Sequence, residues 1–197
     1  MESVCSSCHQ PKRMKLDPAD TPRNFDKEHN EFSDLVVVVG DQKFYVSKWI
    51  LSHHSDYFKT MMGNPNFEEA NRQEITLENW TPQDFQLFME TILGDPCVND
   101  TSVEKILEIS DYLLATTATR RCEEYLVYFS SKTSQKKYEL ADKYKLNDLK
   151  ATVISEVKTG DELRAICPGD LSTLDQETMA MFLNKSISML PKNRFAF

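Results

Sequence analysis

Glycine is scarce, with five in 197 residues. That scarcity speaks against an enzyme that cradles phosphates on backbone turns, and no nucleophile elbow, Gly-rich phosphate loop or HExxH helix stands in the chain. The longest aliphatic run, Leu35 to Val39, falls far short of the ~20 residues of a membrane helix. The N-terminal residues hold no apolar stretch of the signal-peptide kind. These absences predict a chain that is cytoplasmic and/or nuclear and has no membrane partner. The five cysteines (Cys5, Cys8, Cys97, Cys122, Cys167) are odd in number and scattered, which speaks against a disulfide framework and predicts reduced thiols.

What remains is ordinary globular composition, with 40% hydrophobic, 10% aromatic and 27% charged residues. At ~150 residues per domain this is one domain with an appendage. The net charge of -8 is uneven: residues 33–130 carry 7 basic and 16 acidic side chains, residues 131–197 carry 11 and 9. An acidic middle repels a phosphate backbone, so no nucleic-acid partner is expected there. Lys12-Arg13-Met14-Lys15 is the one basic patch, read as a nuclear-import signal or as a solvated tail.

Residues 1–31 hold three prolines among polar groups and no apolar stripe, and are expected to form a disordered tail. Order is expected from Phe32. Leu35–Val39 and Lys43–Val46 read as a hairpin across Gly40-Asp41-Gln42, with Ser47 capping a following helix. A short helix over residues 55–62 and a strand over Glu74–Leu77 come next. The clearest helix starts at Thr81-Pro82-Gln83-Asp84, carries Phe85, Phe88, Met89, Ile92 and Leu93 at helical spacing, and stops at Gly94-Asp95-Pro96. Helices over 102–114 and 119–129 complete the unit, with Ile106, Leu107, Ile109, Leu113, Cys122, Tyr125, Leu126 and Phe129 as expected core. Beyond Ser131 the pattern repeats: Glu108-Ile-Ser-Asp-Tyr112 returns as Glu139-Leu-Ala-Asp-Lys-Tyr144, 31 residues on. Two helical pairs are too few for a free-standing solenoid, so the second pair must dock on the first unit.

Little catalytic or metal chemistry stands out. Cys5-x-x-Cys8-His9 is half a zinc site whose other half is missing. Adjacent His53 and His54 diverge by about 100° on a helix, too far to share a metal easily. No cofactor or catalytic residue is assigned. Lys48 sits in the first turn of its helix, at the positive end of the dipole, and Asp34 at the head of the first strand is a partner within the chain or across an interface. The alternative leaves Lys48 in water and Asp34 capping a turn. Phe67 stands alone in a polar segment beside Glu68 and Glu69, either as a docking anchor for a basic helix or tucked onto the core.

Read in order, Ser33-Asp34-Leu-Val-Val-Val-Val-Gly-Asp-Gln-Lys-Phe-Tyr-Val-Ser-Lys48-Trp-Ile-Leu51, then Ser55-Asp56-Tyr57-Phe58, Ile75-Thr-Leu77 and Thr81-Pro82-Gln-Asp-Phe85 resemble a BTB (POZ) domain over residues 32–130. Arg120-Arg121-Cys122-Glu123-Glu124-Tyr125-Leu126 is similar to the nematode BTB proteins often joined to MATH domains. The resemblance implies an α+β fold, a small sheet flanked by helices, followed over 131–197 by an all-helical BACK-like extension. It implies a non-enzymatic adaptor that self-associates, as homodimer or BTB heterodimer, and carries an unknown substrate protein to cullin-3 ubiquitin ligase. Under it Asp34 and Lys48 fall at the dimer interface, and Phe67, Glu69 and Tyr57 at the cullin surface. Residues 1–31 are too few for a MATH or Kelch substrate reader, which leaves the tail, the extension or a heterodimer partner to bind substrate. The alternative is a BTB homo- or heterodimerisation scaffold without ligase engagement.

Overall fold

β-Branched residues at alternating buried positions build the sheet. The structure, a computed structural model, describes residues 22–25, 33–63 and 73–190. Strand β1 (Leu35–Val39) pairs antiparallel with β2 (Gln42–Val46) through a tight turn in which Gly40 takes φ 59°. It pairs parallel with β3 (Glu74–Leu77), giving the order β2-β1-β3. Leu35, Val37, Val39, Phe44, Val46, Ile75 and Leu77 all point to one buried face. Between β2 and β3 lie α1 (Lys48–His54) and α2 (Asp56–Gly63).

Helix α3 (Pro82–Leu93) covers the sheet with Phe85, Phe88, Met89 and Ile92. It starts as expected, with Thr81 and Asp84 forming a reciprocal capping box and Pro82 in the first turn. Gly94 ends it at φ 97°, where a Cβ would meet the Arg121 guanidinium at 3.1 Å. That guanidinium donates to the Thr91 carbonyl at 2.8 Å, so only glycine leaves room.

Helices α4 (Val103–Tyr112) and α5 (Thr116–Tyr128) form one pair, α6 (Ser134–Lys143) and α7 (Asn147–Glu156) the next. The sequence echo is structural: the two pairs start 31 residues apart, and each turns through a residue of positive φ, Leu114 at 50° and Lys145 at 56°. Helices α8 (Gly160–Ile166) and α9 (Gln176–Met189) follow. Helix α7 packs on α5 and α9 packs on α7, so the extension is a ladder docked on the first unit. Side chains bind the junction. Glu123 on α5 accepts the Leu149 N–H at 3.0 Å, and Glu104 holds Lys132 at 2.7 Å and Lys136 at 3.0 Å. Within the ladder the buried Lys150 amine donates to Asp142 at 3.0 Å and lies 3.8 Å from Asp175.

Asp100 accepts from the Ser130 and Ser131 hydroxyls, both at 2.5 Å, and from the Ser131 N–H at 3.0 Å. Burial pushes its carboxyl up, but these donors outweigh burial and bring it down to about 2. Its folded value lies below the ordinary aspartate value, so its stabilisation is complete at neutral pH and is lost as pH falls toward about 2. Thermal unfolding followed from about pH 7 to about pH 3 is expected to fall more steeply for wild type than for Asp100→Asn. Parallel curves would refute this role.

Three expectations are corrected. The tail was expected to run to residue 31, yet Pro22–Phe25 lie against the domain. The Phe25 carbonyl accepts the Tyr45 N–H at 2.9 Å on the free edge of β2, and the Phe25 ring lies 6.3 Å from that of Phe44. Arg23 pairs with Asp95, its N–H donates to Glu90 at 3.2 Å, and its carbonyl accepts from Gln86 at 2.7 Å. One Arg and one Phe have no period to read, and their partners lie far along the chain. Phe129, expected in the core, is 51% exposed because α5 ends one residue earlier, and Tyr125 is half-buried. Ser47 makes no side-chain cap; Asp34 caps α1 instead.

Candidate protein-interaction surfaces

Besides Tyr128 and Phe129 at the end of α5, two surface regions set aromatic side chains beside charged or polar neighbours. In the first, Tyr57 on α2, Trp80 in the β3–α3 connection and Tyr112 at the end of α4 form a continuous group. Tyr112 lies 5.7 Å from Tyr57 and 5.7 Å from Trp80, centroid to centroid. It is 52% exposed, and Leu114 beside it is 57% exposed. The backbone holds these elements together: the Asp56 N–H donates to the Leu114 carbonyl at 3.2 Å, and the Ser55 hydroxyl donates to the Leu113 carbonyl at 2.5 Å. Exposed Asp56, Glu78 and Asp111 lie next to the rings in sequence, so an apolar patch carries an acidic rim. Such a surface suits a helix with apolar anchors and a basic border. Of the residues assigned to a cullin surface, Tyr57 is in this group. Phe67 and Glu69 lie outside the described residues, in the connection that leads from α2 to β3.

The second region is the start of α1. Here Asp34 Oδ1 accepts the Lys48 backbone N–H at 2.6 Å, so the expected pairing of these residues takes the form of a helix cap across the β1–α1 corner. The carboxylate also lies at the positive end of the helix dipole. Next in the helix, Trp49 is 70% exposed and stacks on His53, one turn further on, at 5.2 Å with the ring planes 10° apart. His54 turns inward to Thr117 at 3.1 Å, and burial, then His53 and Arg121, lower its pKa below the ordinary imidazole value. Asp34→Ala is expected to lose about 1 kcal/mol in chemical denaturation, the worth of an N-cap, while Lys48→Gln retains the cap. Equal losses in both variants would show that the side-chain charges matter instead.

The sequence reading missed Trp49, Trp80, Tyr112 and Leu114 as surface groups. Tyr112 and Leu114 flank the buried Leu113, and that alternation at a helix end was the available signal. Among the described residues no three of His, Cys, Asp and Glu converge as a metal site. Cys5, Cys8 and His9 lie outside them. No helix among the described residues is long and apolar enough to cross a membrane.

Against known proteins, residues 24–130 match the family described as BTB/POZ domain, a span that takes in Phe25. The chain is 37% identical over 153 residues to "BTB and MATH domain-containing protein 15" of Caenorhabditis elegans, covering 78% of this chain and 56% of that one. It is 34% identical over 157 residues to "BTB and MATH domain-containing protein 45" of the same organism, covering 78% and 33%. With "Kelch repeat and BTB domain-containing protein 1" of vaccinia virus (strain Copenhagen) it shares 27% identity over 172 residues, covering 86% and 30%. The chain thus spans between a third and somewhat over half of the length of the two nematode relatives. The BTB domain of human gigaxonin superposes with TM-score 0.40 at 25% identity, over 48% of this chain and 77% of that one.

Proposed function

Because the chain belongs to the BTB/POZ domain family, a protein-interaction module, we propose that it is a non-enzymatic adaptor that self-associates through the α1 face and links cullin-3 ubiquitin ligase to a substrate protein. The observation that carries this reading is the Tyr57–Tyr112–Trp80 patch with its acidic rim. Aromatic anchors ringed by charge are the usual makings of an interface hot spot. Residues 33–130 carry a net charge of -9, a field that speeds encounter with a basic partner. Self-association is supported by Trp49, a large ring left 70% exposed at the start of a capped helix.

Light scattering after size exclusion tests the reading, on wild type and Phe67→Ala/Glu69→Ala, with and without the cullin-3 N-terminal domain. Wild type is expected to bind cullin and the double variant to self-associate without binding it. Self-association with no cullin shift in wild type favours the second reading, a homo- or heterodimerisation scaffold resting on the α1 face alone.

A further inference from the structure

The acidic side chains of residues 33–130 are mostly engaged. Lysine or arginine holds Glu74, Asp95, Glu104, Glu108 and Glu124. Hydroxyl, amide or backbone N–H donors hold Asp34, Asp84, Glu90, Asp100 and Glu123. Among the described residues of this span, the carboxylates with neither hydrogen bond nor ion pair are Asp41, in the β1–β2 turn, and Asp56, Glu78 and Asp111. The last three are the rim of the Tyr57–Trp80–Tyr112 patch, so the unpaired negative charge of the unit gathers beside its aromatic group. A surface of this kind takes a short segment that mixes cations with apolar side chains.

The chain carries such a segment within reach. Lys12-Arg13-Met14-Lys15-Leu16 sets three cations around Met14 and Leu16, and no other five consecutive residues hold three cations. Its tether starts at a fixed point. Arg23 is clamped to Asp95 and Glu90 beside α3, and Pro22 lines a groove with Thr81 and Pro82, the residues that follow Trp80 in the chain. Seven residues lead from Lys15 to Pro22, a reach of up to about 25 Å. That is roughly twice the ~13 Å radius of gyration of a 100-residue domain, so the patch lies inside it. We propose that Lys12–Leu16 dock on the Tyr57–Trp80–Tyr112 patch of their own chain, with the cations on Asp56, Glu78 and Asp111 and with Met14 and Leu16 on the rings, and that an outside partner must displace them. The docking stands on charge and tether; only its competition with cullin-3 rests on the adaptor reading above. Tethering supplies an effective concentration of about 1 mM. A segment with a Kd of about 0.1–1 mM then weakens a competitor about 2- to 10-fold. Exposed ion pairs carry the contact, so salt loosens it.

The test couples lysine amines to carboxylates with a carbodiimide in the full chain. Mass spectrometry of mixed isotopically light and heavy chains separates links within a chain from links between chains. Lys12 and Lys15 are expected to couple to Asp56, Glu78 or Asp111 of the same chain, and less so in about 0.5 M salt. In a Trp49→Phe background Trp80 is the single tryptophan. There Lys12→Glu/Arg13→Glu/Lys15→Glu is expected to shift Trp80 emission, and adding Glu78→Lys/Asp111→Lys to return it toward wild type. Circular dichroism checks that each variant folds. Calorimetric titration with the cullin-3 N-terminal domain reads the competition: the triple tail variant is expected to bind about 2- to 10-fold more tightly than wild type. Lys192→Glu/Arg194→Glu, which changes charge elsewhere in the chain, is expected to leave affinity unchanged; an equal gain there assigns the effect to net charge and removes the competition. Coupling spread over Asp41 and the engaged carboxylates, with Trp80 emission unmoved, overturns the proposal. Links found only between chains also overturn it, because the occupant is then another copy. Links within the chain beside unchanged cullin affinity in the tail variant keep the docking and remove cullin-3 from the patch.

Discussion

Phe44→Ala is expected to destabilise the protein by about 3–5 kcal/mol, the range for emptying a buried aromatic site. The side chain is fully buried on β2, and its ring meets Phe85 of α3 edge-on at 4.9 Å. Phe85 in turn lies 5.9 Å from Phe88, so the loss opens a void between sheet and helix that neither backbone can close. Urea unfolding of wild type, Phe44→Ala, Phe25→Ala and the double variant measures it. The smaller Phe25 loss and the Phe44 loss should be non-additive by about 0.5–1.5 kcal/mol, because the two rings touch. A Phe44→Ala loss below about 1 kcal/mol would mean that the layer between sheet and helix repacks to fill the void.

The second large effect concerns binding. Tyr112→Glu is expected to weaken association with the cullin-3 N-terminal domain by about 30-fold or more, equivalent to 2 kcal/mol, while leaving stability nearly unchanged. The ring is half in solvent, so its removal empties no core site, and the new carboxylate joins Asp56 and Asp111 where a partner's apolar anchor would rest. Trp80→Ala should act in the same direction. Calorimetric titration on both variants and on Phe67→Ala/Glu69→Ala separates the contributions. Unchanged affinity in Tyr112→Glu beside a loss in the double variant would confine the partner to the 64–72 connection and exclude the patch.

Local order was legible wherever neighbours in sequence are partners in space. Thr81, Pro82, Asp84 and Gly94 announce α3 because a capping box and a left-handed stop involve residues within one turn of each helix end. The alternation of Leu35, Val37 and Val39 announces β1 for the same reason, and the 31-residue echo announces two stacked helix pairs. Periodicity overreached at Phe129, which keeps the apolar spacing of α5 but falls where the helix ends.

The α+β class, the order of elements from β1 through α5, the acidic first unit and the family follow from the sequence alone, because period, caps and charge are local or additive quantities. Tertiary structure decided the rest. It set Asp34 rather than Ser47 on the α1 N-terminus, laid Arg23 and Phe25 on an edge strand and on α3, and gathered Tyr57, Trp80 and Tyr112 from three elements into one patch. It also left one side of α9 bare while covering the matching sides of α5 and α7. Each of these depends on which distant segments meet, and that depends on the packing of the whole core, which no short window of residues encodes.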